Sequence, residues 1–179
     1  MRCDVADYVI SDTHFFHRRA IEYCNRPFEN VEEMNRYMLD RWNETVGQHD
    51  TVYHLGDFAF CSVLHSLELV KQLNGRIVFI RGNHDGSKGR CERIFGSSRD
   101  SMTYGVNGID VALLMVHNPE HGMKLLTTCW DEFDAIVHGH QHNTTPKFRV
   151  ENGVKYVNVS VEHWDYTPIP METILEMVQ

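Results

Sequence analysis

The stretch RIVFIRGNHD, Arg76 to Asp85, runs from a short apolar segment straight into a polar cluster containing Asn83, His84 and Asp85. The apolar part has the length and composition of a β-strand. The same change of character occurs twice upstream. Tyr8 to Ile10 leads into SDTH with Asp12 and His14, and Thr51 to Leu55 (TVYHL) leads into LGDF with Asp57. Helical signals lie between these runs. Asn30 with Glu33 three residues on marks a helix start, and Met34, Met38, Trp42 and Val46 recur at helical spacing up to Gly47. Val63, Leu67 and Val70 repeat that spacing before Asn74 and Gly75. Strand, helix, strand, helix, strand predicts a right-handed parallel sheet covered by helices.

The second half differs. Asn107-Gly108 separates SMTYGV from IDVALLMV, and Asn152-Gly153 separates KFRV from VKYVNVSV, so hairpins and antiparallel pairing are expected. A short helix should start near Pro170 and carry Ile174, Leu175 and Val178. The fold class is therefore α/β with mixed sheets. In IVHGHQHN, Ile136 to Asn143, histidines fall at every second position, and a continuing strand would turn His138, His140 and His142 to one side.

Composition narrows the function. With 179 residues, 42% of them hydrophobic, the chain suits one soluble domain spanning 1–179. Its first ten residues lack the pattern of a signal peptide and no run could span a bilayer, so a cytoplasmic location without membrane partners is expected. Cys3, Cys24, Cys61, Cys91 and Cys129 are odd in number and never spaced C-x-x-C, which favours reduced packing residues over disulfides or a thiolate zinc site. Seventeen basic against twenty-five acidic residues give a net charge of -8, which argues against a long nucleic acid as partner.

Each predicted strand thus ends in potential ligands, and His117 in MVHNP adds another after its own strand. Loops at the carboxyl ends of strands build sites in α/β sheets, so five loops should meet. Taken singly, Asp12, His117 or His142 would be an ordinary turn or core residue. Together, Asp12, His14, Asp57 and His142 would form one shell, and Asn83, His117 and His140 with a shared Asp57 another. Two divalent cations bridged by one carboxylate are expected. Carboxylates, imidazoles and an amide suit manganese foremost, with iron, zinc or nickel as alternatives.

In this order, DTH, GD, GNHD, a lone histidine after a strand and GHQH resemble the calcineurin-like metallophosphoesterase superfamily. The resemblance spans Asp12 to His142. It implies two mixed β-sheets packed as a sandwich flanked by helices, a dinuclear metal site with the ligands named above, and His84 as the catalytic histidine. GDFAFCS departs from the D-R-G continuation of the protein Ser/Thr phosphatase branch, and GNH is followed by Asp85 rather than Glu. A small stand-alone phosphoesterase is therefore favoured.

Chemistry follows from that reading. Two cations roughly 3.5–4 Å apart would bind phosphoryl oxygens and lower the pKa of a bridging water, whose hydroxide attacks phosphorus in line. His84, beside a ligand but not itself one, would protonate the leaving oxygen, with Asp85 orienting it. His17 and Arg81 are the substrate contacts expected beside the metals. Arg81, Lys88, Arg90, Arg93 and Arg99 would steer an anion, and among Phe15, Phe16, Phe58 and Phe60, packing is favoured over stacking a base. The expected substrate is a small phosphoester, a nucleotide-like one included. A phosphodiester is slightly preferred, a phosphomonoester is the alternative, and a noncatalytic scaffold such as the retromer subunit of this superfamily is the remaining class. Metal-dependent hydrolysis separates enzyme from scaffold.

Overall fold

A computed structural model of the chain describes residues 5–105, 111–128 and 133–179. In chain order its elements begin with β1 (Asp7–Ile10), α1 (Arg18–Tyr23), α2 (Val31–Thr45), β2 (Thr51–His54), α3 (Val63–Val70), β3 (Arg76–Phe79) and α4 (Lys88–Phe95). They continue with β4 (Ser101–Gly105), β5 (Ala112–Val116), α5 (Pro119–Thr128), β6 (Ala135–His138), β7 (Phe148–Glu151), β8 (Val154–Asn158), β9 (Ile169–Pro170) and α6 (Met171–Val178). One sheet has the order β3-β2-β1-β9, the other β4-β5-β6-β8-β7. The three strands β1, β2 and β3 are mutually parallel in sequence register, with Val9 opposite Tyr53 and Val52 opposite Ile77. In the second sheet β5, β6 and β8 run parallel, while β4 and β7 are antiparallel edges.

Side-chain alternation sorts the core into layers. Val9, Tyr53, Leu113, Met115, Val137 and Val157 meet in one cluster, so the inner faces of the two sheets form a sandwich. Their sequence neighbours point outward. Tyr8, Ile10, Val52 and Phe79 pack under Met34, Met38 and Trp42 of α2, and Leu114, Val116 and Ile136 pack under Leu125 and Leu126 of α5. Each fully buried side chain of this size contributes about 1.5–3 kcal/mol.

Local signals explain the elements. Asn30 Oδ1 accepts the Glu33 N–H at 2.8 Å, and Glu33 reaches back to the Glu29 N–H at 2.7 Å, a capping box displaced by one residue. Asn152 (φ 51°) and Gly153 (φ 80°) supply the left-handed pair that a tight β7–β8 hairpin requires. The Asn107-Gly108 turn lies outside the described residues, as do Cys3 and Cys129. In α3 the expected face is rotated. Ser66 and Leu69 are its buried residues, while Val63, Leu67 and Val70 are only partly covered, because α4 packs beside it. Among the described residues no helix is long and apolar enough to cross a membrane.

Candidate metal centre

Because β1, β2 and β3 are parallel, as are β5 and β6, the loops that follow them emerge at matching ends of their sheets. Ser11 links the sheets there. Its N–H donates to Val159 O at 3.1 Å, and the loops after β1 and β2 are joined by Asp12 N–H to Gly56 O and His14 N–H to Asp57 O, both at 3.0 Å. Five of the seven expected ligands take left-handed backbone: Asp12 (φ 59°), His14 (48°), Asp57 (56°), His140 (67°) and His142 (45°). That conformation costs a non-glycine residue about 1–2 kcal/mol, and such strain gathers where side chains must be aimed.

Strand alternation does not bring the GHQH histidines together. β6 ends at His138, whose side chain is fully buried on the α5 side, while His140 and His142 reach the site through left-handed turns beyond Gly139. Gly139 is required by close approach, since a Cβ there would overlap the Ser11 and Asp12 side chains. Gly82 lies equally close to Asp57.

Two buried carboxylates occupy the centre. Asp57 Oδ1 accepts the His84 N–H at 2.8 Å, while its Oδ2 lies 3.6 Å from His14 Nε2 and 3.5 Å from His117 Nε2. Asp12 Oδ2 accepts the His140 N–H at 2.9 Å. Its Oδ1 is buried without a hydrogen-bond partner and stands 3.7 Å from His142 Nε2. Asp12, His14 and His142 offer donor atoms within 4.8 Å of one another, as do Asp12, Asp57 and His117. Asn83 Oδ1 lies 2.9 Å from His117 Nε2. His140 joins neither tight group, but its ring is 5.1 Å from that of His117. An orphaned carboxylate oxygen amid converging imidazole and amide donors fits divalent cations, since buried charge without a partner is otherwise costly. Asp12 thus stands in both tight groups, beside the Asp57 that the sequence marks as shared.

Electrostatics agree with these positions. Burial disfavours the Asp57 carboxylate, but His117, His14 and the His84 N–H outweigh it and hold its pKa well below the usual range. Burial pulls the His14 imidazole down to about 3. It also opposes charge on His117 and His142, yet Asp57, Asp12 and the Leu55 carbonyl raise His117 to about 9, and Cys24, Glu162 and Asp12 raise His142 to about 11. A cation must displace those protons.

Two supporting residues were not flagged by sequence motifs. His142 Nδ1–H donates to Glu162 Oε1 at 2.9 Å, and Arg26 donates to the same oxygen through Nε at 3.0 Å and a terminal nitrogen at 2.7 Å. Arg26 also donates to the carbonyls of Asp12 (2.7 Å) and Thr13 (2.9 Å), tying the first loop to the last. Cys24, His142 and Glu162 form a third close group, but Arg26 already balances the Glu162 charge there. Glu162 follows β8 closely, so the strand-end rule extends to it; Arg26 in CNRPF carries no such signal.

Asp85 does not orient His84. Its carboxylate accepts the N–H groups of Asp57 (2.7 Å), Phe58 (2.9 Å) and Gly82 (2.7 Å), clasping the second and third loops. The exposed His84 ring stands 5.6 Å from that of His14. His17 stacks on Phe60 at 4.4 Å, while Phe15 and Phe58 are core residues. Arg81 is held by Asp100 at 2.8 Å, Arg90 by Cys61 O at 2.6 Å and Lys88 by Glu92 at 3.9 Å, so three of the expected steering charges have local partners. Arg81 nonetheless lines a cleft of 540 Å³ with Asn83, His117, His121, Lys124 and His140.

Comparison with known proteins gives these features a family. A protein of Methanocaldococcus jannaschii is 40% identical over 176 residues, 96% of this chain and 90% of the relative. The Gene 66 protein of Mycobacterium phage L5 is 29% identical over 157 residues, 74% of this chain and 75% of its own. The crystal structure of a protein of unknown function from Aquifex aeolicus superposes with TM-score 0.77 at 26% identity, covering 98% of this chain and all 100% of the other. The profile of the calcineurin-like phosphoesterase superfamily domain matches residues 8–165, from β1 through the Glu162 region, and the chain belongs to that superfamily.

Proposed function

We propose that this chain hydrolyses small phosphodiesters at a centre of two divalent cations, manganese foremost. Asp12, His14, Asp57 and His142 would hold one ion, and Asn83, His117, His140 and Asp57 the other. Such ions supply charge neutralisation for the phosphoryl oxygens and acidify water for attack.

The protein's own groups prepare that chemistry. His117 Nδ1–H donates to Leu55 O at 2.8 Å, and His142 Nδ1–H donates to Glu162, so each ring turns its Nε2 toward a buried carboxylate, and loss of the Nε2 proton would free that nitrogen to hold a cation. Asp57 Oδ2 faces both His14 and His117, the disposition a shared ligand needs. His84 is fixed through its backbone N–H on Asp57, whereas its ring is exposed and suited to giving a proton to the departing oxygen.

The buried, unpartnered Asp12 Oδ1 carries the metal reading. The diester preference draws on the GNHD form and the missing D-R-G continuation, and on two features beside the candidate ligands that could each receive an ester arm, the cleft lined by Arg81 and Lys124 and the His17–Phe60 pair. The test is hydrolysis of bis-p-nitrophenyl phosphate and p-nitrophenyl phosphate by metal-stripped and manganese-reloaded protein. Faster metal-dependent turnover of the diester is expected. Preference for the monoester would reassign the substrate, and no metal-dependent turnover of either would remove the enzymatic reading.

A further inference from the structure

A phenylalanine on a protein surface is ordinary; its position and support are what matter here. Phe60 is 54% exposed although one ring face is covered by His17, parallel within 15° at 4.4 Å, so its other face lies open. The pair is firmly held. Phe60 N–H donates to Phe15 O at 2.8 Å, Phe15 and Ala59 pair across the two loops, and His17 N–H donates to His14 O at 3.1 Å. The Phe60 ring is 6.5 Å from the His84 ring. If His84 protonates the leaving oxygen, the departing alcohol leaves next to His84 and within reach of that aromatic face.

We propose that the His17–Phe60 pair is a leaving-group platform, selecting phosphodiesters whose departing alcohol is a nucleoside with its base stacked on Phe60. This rests on the proposed phosphodiesterase activity and on His84 as the proton donor. In the reaction water adds to phosphorus, the bond from phosphorus to the nucleoside oxygen breaks, and that oxygen takes the His84 proton. Stacking needs no particular base edge, so the platform tolerates any base, with adenine and guanine held best through their larger rings.

The probe is the methyl phosphodiester of adenosine at its 5′ oxygen, compared with the same diester of ribose, which lacks the base. Manganese-loaded wild type should favour the adenosine ester by about tenfold in kcat/KM and release adenosine and methyl phosphate. Phe60→Ala should abolish that ratio, and Phe60→Trp should retain it. An unchanged ratio in Phe60→Ala, or release of AMP and methanol, overturns the platform. A second measurement needs no turnover: calorimetry of AMP against ribose 5-phosphate on zinc-loaded protein should show tighter AMP binding that Phe60→Ala removes. AMP discrimination without diester hydrolysis would fail the activity and keep the platform. Hydrolysis of bis-p-nitrophenyl phosphate without any base preference would do the reverse.

Discussion

Glu162 Oε1 accepts the Nδ1–H of His142 at 2.9 Å, and through that contact a buried Arg26 governs a candidate ligand it never touches. The side chains of Arg26 and Glu162 are 0% and 4% exposed. Glu162→Gln should therefore weaken cation binding by about 10- to 100-fold, as loss of a ligand's supporting partner does. Glu162→Ala leaves a guanidinium buried without its anion and should cost about 3–5 kcal/mol of stability. Calorimetric zinc titration and urea unfolding measure the two effects separately.

Asp57→Asn should impair both cation positions, because a single Oδ2 faces His14 and His117. Elemental analysis after reloading is expected to give fewer than two ions per chain. Two ions at wild-type affinity would disprove the shared role.

The three N–H groups on Asp85 predict a structural phenotype rather than a chemical one. Asp85→Ala should lose at least the roughly 1.5–3 kcal/mol of one hydrogen bond to a charged group. The loss should be the same with an activated and an unactivated ester, since the carboxylate does not touch His84.

His54 gives a pH dependence. It is fully buried, its Nδ1 accepts the Gly56 N–H at 3.2 Å, and its Nε2–H lies 3.0 Å from Thr13 Oγ1, whose hydroxyl donates to Phe58 O. Burial lowers its pKa from 6.5 to about 3. Below 6.5 the unfolded chain takes up a proton that the folded chain refuses. Stability from this group is thus complete above pH 6.5 and lost as pH falls toward 3. Melting curves of metal-stripped protein should decline over that window, and His54→Gln should flatten the decline.

His84→Ala should keep both ions and the fold while turnover falls by roughly 10²- to 10⁴-fold. The fall should be far smaller on p-nitrophenyl esters, whose leaving group needs no proton. Equal losses would move His84 toward charge stabilisation.

Much of the fold was legible because the strands announce themselves and end in candidate ligands. β1, β2 and β3 lie within a residue of their apolar runs, and the Asn30 cap and the Asn152-Gly153 turn act as their chemistry dictates. Short helices were harder to read. α4 has its own Ser87 cap and Gly96 stop, but with Cys91 as its one buried residue it shows no apolar stripe. The path of GHQH was hidden because a period of two cannot foresee left-handed turns at His140 and His142. Arg26 was hidden for another reason: its partners lie up to 136 residues away and belong to no shared motif.

The bond from Ser160 Oγ to Asp12 Oδ2 at 3.0 Å joins positions 148 residues apart, one following the first strand and the other following β8. The first carboxylate thus waits for β8 and the residues after it before its surroundings exist. A nascent chain whose β8 is still within the ribosome holds Asp12, His14 and Asp57 without the pocket that aims them. Cation capture at the proposed centre would therefore have to wait for β8 and would seal the folded site, so truncation before Val154 should leave a chain that divalent cations do not stabilise.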